Sequence, residues 1–150
     1  MNCADRQAKD GAGNVGTSAA VAVTVSNSGG GTTQNEAESN GSYNQANTVP
    51  VSGTTVTGYI SSATDDDYFK VTLGAGKTLQ AVLTPPSGSD FDVYIYDQSK
   101  VLVAKSENDV GLVDSASATN KAASAGTFWI YVKYYSGASK TNPYKLKLTF

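Results

Sequence analysis

Glu36, Glu38 and Asn40 stand at alternate positions of one segment, and Asp65 and Asp67 repeat that spacing further along the chain. In an extended segment alternate side chains point to the same side, so the first three would present their oxygens together. Carboxylate and carboxamide oxygens are the donors that calcium takes, about six to eight at a time. The same residues also suit a solvated acidic linker followed by an Asp-rich turn that needs no ion. A second set is aromatic. Trp129, Tyr131 and Tyr135 alternate along one segment, and Tyr94 and Tyr96 along another. Rings with polar tips on a sheet face give contact area at little entropic cost. The same positions would serve as cross-strand pairs or as filling between two sheets.

Other chemistries are closed off by composition. The chain has no histidine and one cysteine, Cys3. That removes Ser-His-Asp and Cys-His nucleophile pairs, histidine-bearing zinc sites and an internal disulfide. Cys3 reads as a free thiol or half of a bridge to sequence beyond the chain. A carboxylate-pair hydrolase would need acids facing each other across a cleft, whereas here they gather in turn-like segments. A formal net charge of −2 leaves no basic footprint for nucleic acid. No apolar run reaches the roughly 18 residues of a membrane span, and the N-terminus lacks the plan of a signal peptide. The expectation is a soluble, monomeric fragment of a larger protein.

The elements that must position these residues are strands. The chain is rich in Gly, Ser, Thr, Asn, Tyr and Val, a composition of short strands joined by tight turns. Thr55 to Ile60 reads as a first strand. Phe69, Val71 and Leu73 alternate with Tyr68, Lys70 and Thr72, and the Gly74-Ala75-Gly76 turn leads to Leu79, Ala81 and Leu83. Phe91, Val93 and Ile95 oppose Asp92, Tyr94 and Tyr96. Phe128, Ile130 and Val132 oppose Trp129, Tyr131, Lys133 and Tyr135, and Tyr144, Leu146, Leu148 and Phe150 oppose Lys145, Lys147 and Thr149. Weaker strands are expected at Val101 to Ala104 and near Val110 to Ser115. These spacings predict an all-β fold, a two-sheet antiparallel β-sandwich or jelly roll of about eight strands. Lys133, Lys145 and Lys147 would rim the aromatic patch if their strands were neighbours.

Three segments follow along the chain. Residues 1–27 hold a turn at Ala8-Lys9-Asp10-Gly11-Ala12-Gly13-Asn14 and an alternating strand with Val21, Val23 and Val25. This resembles the last hairpin of a bacterial immunoglobulin-like domain. Residues 28–34, with Gly29 to Gly31, read as a flexible linker. Residues 35–150 form the main domain.

The order of motifs in 35–150 resembles the bacterial pre-peptidase C-terminal domain, which is related to the collagen-binding domains of clostridial collagenases. The matching pieces are Asn35-Glu36-Ala37-Glu38-Ser39-Asn40 followed by Ala46; Val56-Thr57-Gly58-Tyr59-Ile60; Asp65-Asp66-Asp67-Tyr68-Phe69; Asp90-Phe91-Asp92-Val93-Tyr94-Ile95-Tyr96; Gly126-Thr127-Phe128-Trp129-Ile130-Tyr131-Val132; and Tyr144-Lys145-Leu146. The resemblance implies a sandwich without catalytic activity, exported to the extracellular space with a parent peptidase whose catalytic domain is joined to it in cis. In calcium-binding relatives acids from the two regions converge on the metal, which implies Glu36, Glu38, Asn40, Asp65 and Asp67 here. In collagen-binding relatives a tyrosine-rich surface contacts the triple helix. Fibrous protein such as collagen is therefore one ligand class for Trp129, Tyr131, Tyr135, Tyr94 and Tyr96, and polysaccharide or the parent catalytic domain would also suit stacked rings. The other reading is a structural or processing domain that assists secretion or folding of the parent and is later cleaved off.

Overall fold

Alternation along each strand decides which side chains enter the core. The computed structural model describes residues 7–9, 15–17 and 31–150. β1 (Gln7–Lys9) and β2 (Val15–Thr17) pair as an antiparallel hairpin, Gln7 opposite Thr17 and Lys9 opposite Val15. Cys3, the expected strand at Val21, Val23 and Val25, and residues 28–30 lie outside the described residues. Ten further strands follow: β3 (Thr33–Asn35), β4 (Asn47–Thr48), β5 (Thr54–Gly58), β6 (Asp67–Leu73), β7 (Thr78–Thr84), β8 (Asp90–Tyr96), β9 (Leu102–Ser106), β10 (Asp114–Thr119), β11 (Gly126–Ser136) and β12 (Tyr144–Thr149). β3 thus begins inside the stretch read as a linker.

The strands form two five-stranded sheets, one ordered β10-β7-β12-β5-β3 and the other β4-β6-β11-β8-β9. This is a β-sandwich. Strands β5 to β12 pair antiparallel, and β3 and β4 add parallel edges beside β5 and β6. The core between the sheets holds Phe69, Val71 and Leu73 of β6, Leu79, Ala81 and Leu83 of β7, Phe91, Val93 and Ile95 of β8, Phe128, Ile130 and Val132 of β11, and Tyr144, Leu146 and Leu148 of β12. The Gly74–Lys77 turn closes through Lys77 N–H to Gly74 C=O, and Gly76 takes a φ of 68° that suits glycine. Among the described residues no helix is long and apolar enough to cross a membrane.

Three expectations are corrected. The strand anticipated at Val110 to Ser115 is displaced: Val110, Leu112 and Val113 are exposed in a turn and loop, and β10 runs from Asp114 with Ala116 and Ala118 facing inward. Small inward residues made that strand inconspicuous. β8 has no wet face, because Asp90, Asp92 and Tyr94 are buried as well as Phe91, Val93 and Ile95. It lies between β11 and β9, with the loop after β9 over its outer side. Finally, Lys145 and Lys147 belong to the other sheet and do not border the aromatic face.

Residues between β3 and β4 pass from the edge of one sheet to the edge of the other. Asn47 holds this entry segment, accepting from Ala37 N–H at 2.7 Å and donating to Ala37 C=O at 2.9 Å. Ala46 and Val49 are buried beyond it. The segment carries Glu36, Glu38 and Asn40 across the open side of the sandwich.

Candidate functional site

Glu36 leaves β3 beside β5, with its N–H bonded to Thr57 C=O at 3.0 Å. Its carboxylate turns inward, Oε1 accepting from Tyr59 N–H at 2.5 Å. Asn40 and Asp67 are fully buried, and the Asn40 carbonyl accepts from Tyr68 N–H at 3.0 Å, stitching the entry segment to β6. The result is a junction of three carboxylates: ligand oxygens of Glu36, Glu38 and Asp67 all lie within 4.8 Å of one another. Tyr144 reaches them from β12, its hydroxyl 2.6 Å from Asp67 Oδ2 and 3.1 Å from Glu36 Oε2. Gly58 leaves the space for this: a Cβ there would strike the Tyr144 hydroxyl and the Glu36 carboxylate. Glycine inside a strand commonly marks such a close approach.

No ammonium or guanidinium lies within 4 Å of these acids among the described residues, where the ion pair formed is Lys105 with Glu107. Buried carboxylates without a countercharge bind protons. Burial pushes the Asp67 carboxyl up to about 9, the Tyr144 hydrogen bond opposing the rise and the charge of Glu36 adding to it. Glu36 is also raised by burial, against the Tyr59 N–H that stabilises its charged form. Asn40 faces the same choice. With its amide nitrogen toward the acids it donates to Asp67 Oδ1 and Glu38 Oε2, each at 3.0 Å. With its oxygen toward them, three side-chain oxygens converge, and a cation between them is what would hold them together.

The donor set fits calcium in type and spacing. Every group is oxygen, and two ligands of one calcium ion at about 2.4 Å each can be no more than about 4.8 Å apart. Glu36, Glu38, Asn40 and Asp67 are the residues that would hold the ion. Asp65 is not brought into the group. Its Oδ2 accepts from Ser61 N–H at 2.6 Å and closes the 61–65 turn, so that it stays outside the group of Glu36, Glu38 and Asp67, though its charge adds to the rise of Asp67. Asp66, on the opposite side of the strand, accepts from the Tyr131 hydroxyl at 2.6 Å.

The aromatic residues lie on the outer face of the second sheet. Tyr131 of β11 is in register with Tyr68 of β6 on one side and Tyr94 of β8 on the other. The Tyr68 and Tyr131 rings stack at 4.6 Å with 6° between planes, and Tyr94 sits 5.8 Å from Tyr131. Tyr43, delivered by the entry segment, packs 4.9 Å from Tyr68 and meets Tyr96 and Trp129 edge-on at 5.6 Å each. Lys100 lies 5.0 Å from the Tyr43 centroid and Lys133 5.4 Å from that of Tyr94, within cation–π range. Trp129 is half-buried and its indole Nε1 is covered without a hydrogen-bond partner.

This face differs from its expected form in two members. Tyr94 is only 7% exposed, covered by Lys133 and by Glu107, which accepts its hydroxyl. Tyr135 is 70% exposed but stands apart from the ring cluster, because β11 loses register with β8 between Tyr134 and Ser136. Tyr43 and Tyr68 take part instead. Tyr43 carries no strand signal, so sequence spacing could not place it. Tyr144 and Gly58 were legible as strand residues and not as walls of the acidic site.

Among solved structures, the chain is similar to the pre-peptidase C-terminal domain of collagenase from Bacillus anthracis. The two share 18% identity over 69% of this chain and 94% of that domain, with a TM-score of 0.56. The fold is that of a pre-peptidase C-terminal domain. No protein-family model matches the sequence, and no curated protein matches it. On this pre-peptidase C-terminal fold both sites hang from one element: the entry segment supplies Glu36, Glu38 and Asn40 to the acidic cluster and, three residues later, Tyr43 to the aromatic face.

Proposed function

We propose that this chain is a non-catalytic accessory domain of a secreted peptidase, which binds an insoluble fibrous protein of the collagen class through the aromatic face, with calcium fixing the entry segment. The observation that carries the reading is the contiguous run of the part-exposed Tyr43, Tyr68, Tyr96, Trp129 and Tyr131 across one sheet face. Isolated exposed rings are ordinary, whereas a continuous patch is a feature of binding surfaces. The similarity to a domain of a collagenase supports the same ligand class. Bound at Glu36, Glu38, Asn40 and Asp67, calcium would supply the positive charge that lets the acids remain ionised together.

Cosedimentation with insoluble collagen fibrils tests this, with cellulose and chitin as polysaccharide arms. The expected result is retention on collagen that Trp129→Ala and Tyr131→Ala each reduce at least fivefold while circular dichroism stays native. No retention of the parent chain, or retention indifferent to both substitutions, would defeat the proposal. The second reading is a structural or processing domain, later cleaved off. It is favoured by the tied ring tips, Tyr131 to Asp66 and Tyr94 to Glu107. That role calls for lower secretion of the parent peptidase on deletion of the domain and for no affinity toward any polymer.

A further inference from the structure

Beyond the ring cluster the outer face of the second sheet changes character. Asp90 and Asp92 of β8 and Lys133 and Tyr135 of β11 line an open pocket of about 370 Å³, walled on its far side by Glu107 and Asp109. Asp90 is 7% exposed and Asp92 is 5% exposed. Among the described residues neither carboxylate accepts a hydrogen bond or lies within 4 Å of a cationic side chain, and both border the pocket. The two residues are largely buried while their carboxylate oxygens open onto the pocket, which gives it a negative floor suited to a cationic group. The wall is preformed: Asp114 Oδ1 accepts from Asn108 N–H at 2.9 Å and Ser106 Oγ at 2.6 Å, fixing the loop.

The cations nearby leave the two acids without a direct ion pair. Lys105 pairs with Glu107 at 2.5 Å, and Lys133, which lines the pocket in register with Asp92, donates to the Tyr94 hydroxyl at 3.4 Å and lies more than 4 Å from both carboxylates. The acids here are also too dispersed for a metal ion. Among the described residues the carboxylates gathered closely enough for one are Glu36, Glu38 and Asp67. A guanidinium meets the pocket's needs better. It is always charged, its five N–H donors form a planar fork that spans several carboxylates, and it stacks on aromatic rings. Tyr135, 70% exposed, offers such a ring at the rim.

We infer that this pocket receives the arginine side chain of a partner polypeptide, with Asp90 and Asp92 accepting the guanidinium and Tyr135 stacking on it. The inference stands on the pocket alone and does not depend on the aromatic face binding a polymer. An NMR titration of the full chain with N-acetyl-arginine amide, at fixed ionic strength, tests it. Saturable shifts are expected at the amides of residues 90–92, 107–109 and 133–136. Asp92→Asn, nearly isosteric, should weaken binding at least fivefold, and Tyr135→Ala, on an exposed ring, at least twofold. N-acetyl-lysine amide should bind at least threefold more weakly. Absence of saturable shifts, equal binding of the lysine compound, indifference to both substitutions, or displacement of the arginine compound by calcium would each overturn the assignment.

Discussion

Removing one oxygen at Tyr144 gives the sharpest test of the acidic junction. Tyr144→Phe leaves the ring in a fully buried position and deletes the hydroxyl that donates to Asp67 Oδ2 at 2.6 Å. No cavity larger than an oxygen forms, so the loss is the hydrogen bond itself. A bond to a charged group contributes about 1.5–3 kcal/mol, and one between neutral groups about 0.5–1.5 kcal/mol. In calcium-stripped protein at neutral pH Asp67, raised to about 9, is protonated, and the substitution should cost about 1 kcal/mol. For a domain of this size that is a fall in Tm of roughly 3–5 °C. Urea unfolding followed by the emission of Trp129, the single tryptophan, measures it directly. Repeating the measurement near pH 10, where Asp67 is ionised, should raise the cost to about 2 kcal/mol, since the acceptor is then charged. A cost below about 0.5 kcal/mol at neutral pH, or the same cost at both pH values, would refute the view that Tyr144 bonds an acid that holds its proton at neutral pH.

Calcium added to stripped protein should raise the Tm and shift Trp129 emission, because the ion's ligands and Tyr43 share one segment. Tyr43→Ala should abolish the emission change and leave the Tm rise; loss of both would show that the segment acts otherwise. Asp92 is pushed up to about 6 by burial first and then by the charges of Asp90 and Asp114, with Lys133 opposing and Glu107 adding slightly. A raised acid contributes stability that is complete below about pH 4 and lost as pH rises through about 6, by about 1–2 kcal/mol once solvent screening in the open pocket is allowed for. Asp92→Asn should flatten that portion of the stability–pH profile, and an unchanged profile counts against it. Asn120 is 2% exposed and its Nδ2 donates to Leu73 C=O and Ser124 C=O, each at 2.9 Å. Asn120→Ala should cost about 2–3 kcal/mol in urea unfolding by leaving buried carbonyls unpaired.

The candidate sites were legible in proportion to how local their signals are. Glu36, Glu38 and Asn40 were grouped by an alternation that the structure does not keep, since β3 ends at Asn35 and the chain bends at Glu38, yet they meet at one cluster. Asp66 points opposite to Asp67 because alternation at the start of β6 imposes it. Asp65 was misplaced because a turn, unlike a strand, does not keep that alternation. Tyr135 was misplaced because a bulge breaks register without leaving a mark in hydrophobic pattern. The acids of β8 read as solvent-facing, since nothing in residues 90–96 announces that a loop some ten residues later will cover them.

What the sequence by itself determined is therefore the class of fold and the facing of each side chain within its own strand. Apolar residues recur at every second position, and burying them leaves a two-sheet sandwich as the outcome. Only the tertiary structure decided which faces meet. It set β11 between β6 and β8, so that Tyr68, Tyr131 and Tyr94 become one surface, and it sent Lys145 and Lys147 to the opposite sheet. It also carried the entry segment over the sandwich edge, joining Glu36 to Asp67 and Tyr144 across large separations in the chain. Strand order depends on long-range packing between elements, and that information is spread over the whole chain and absent from any one segment of it.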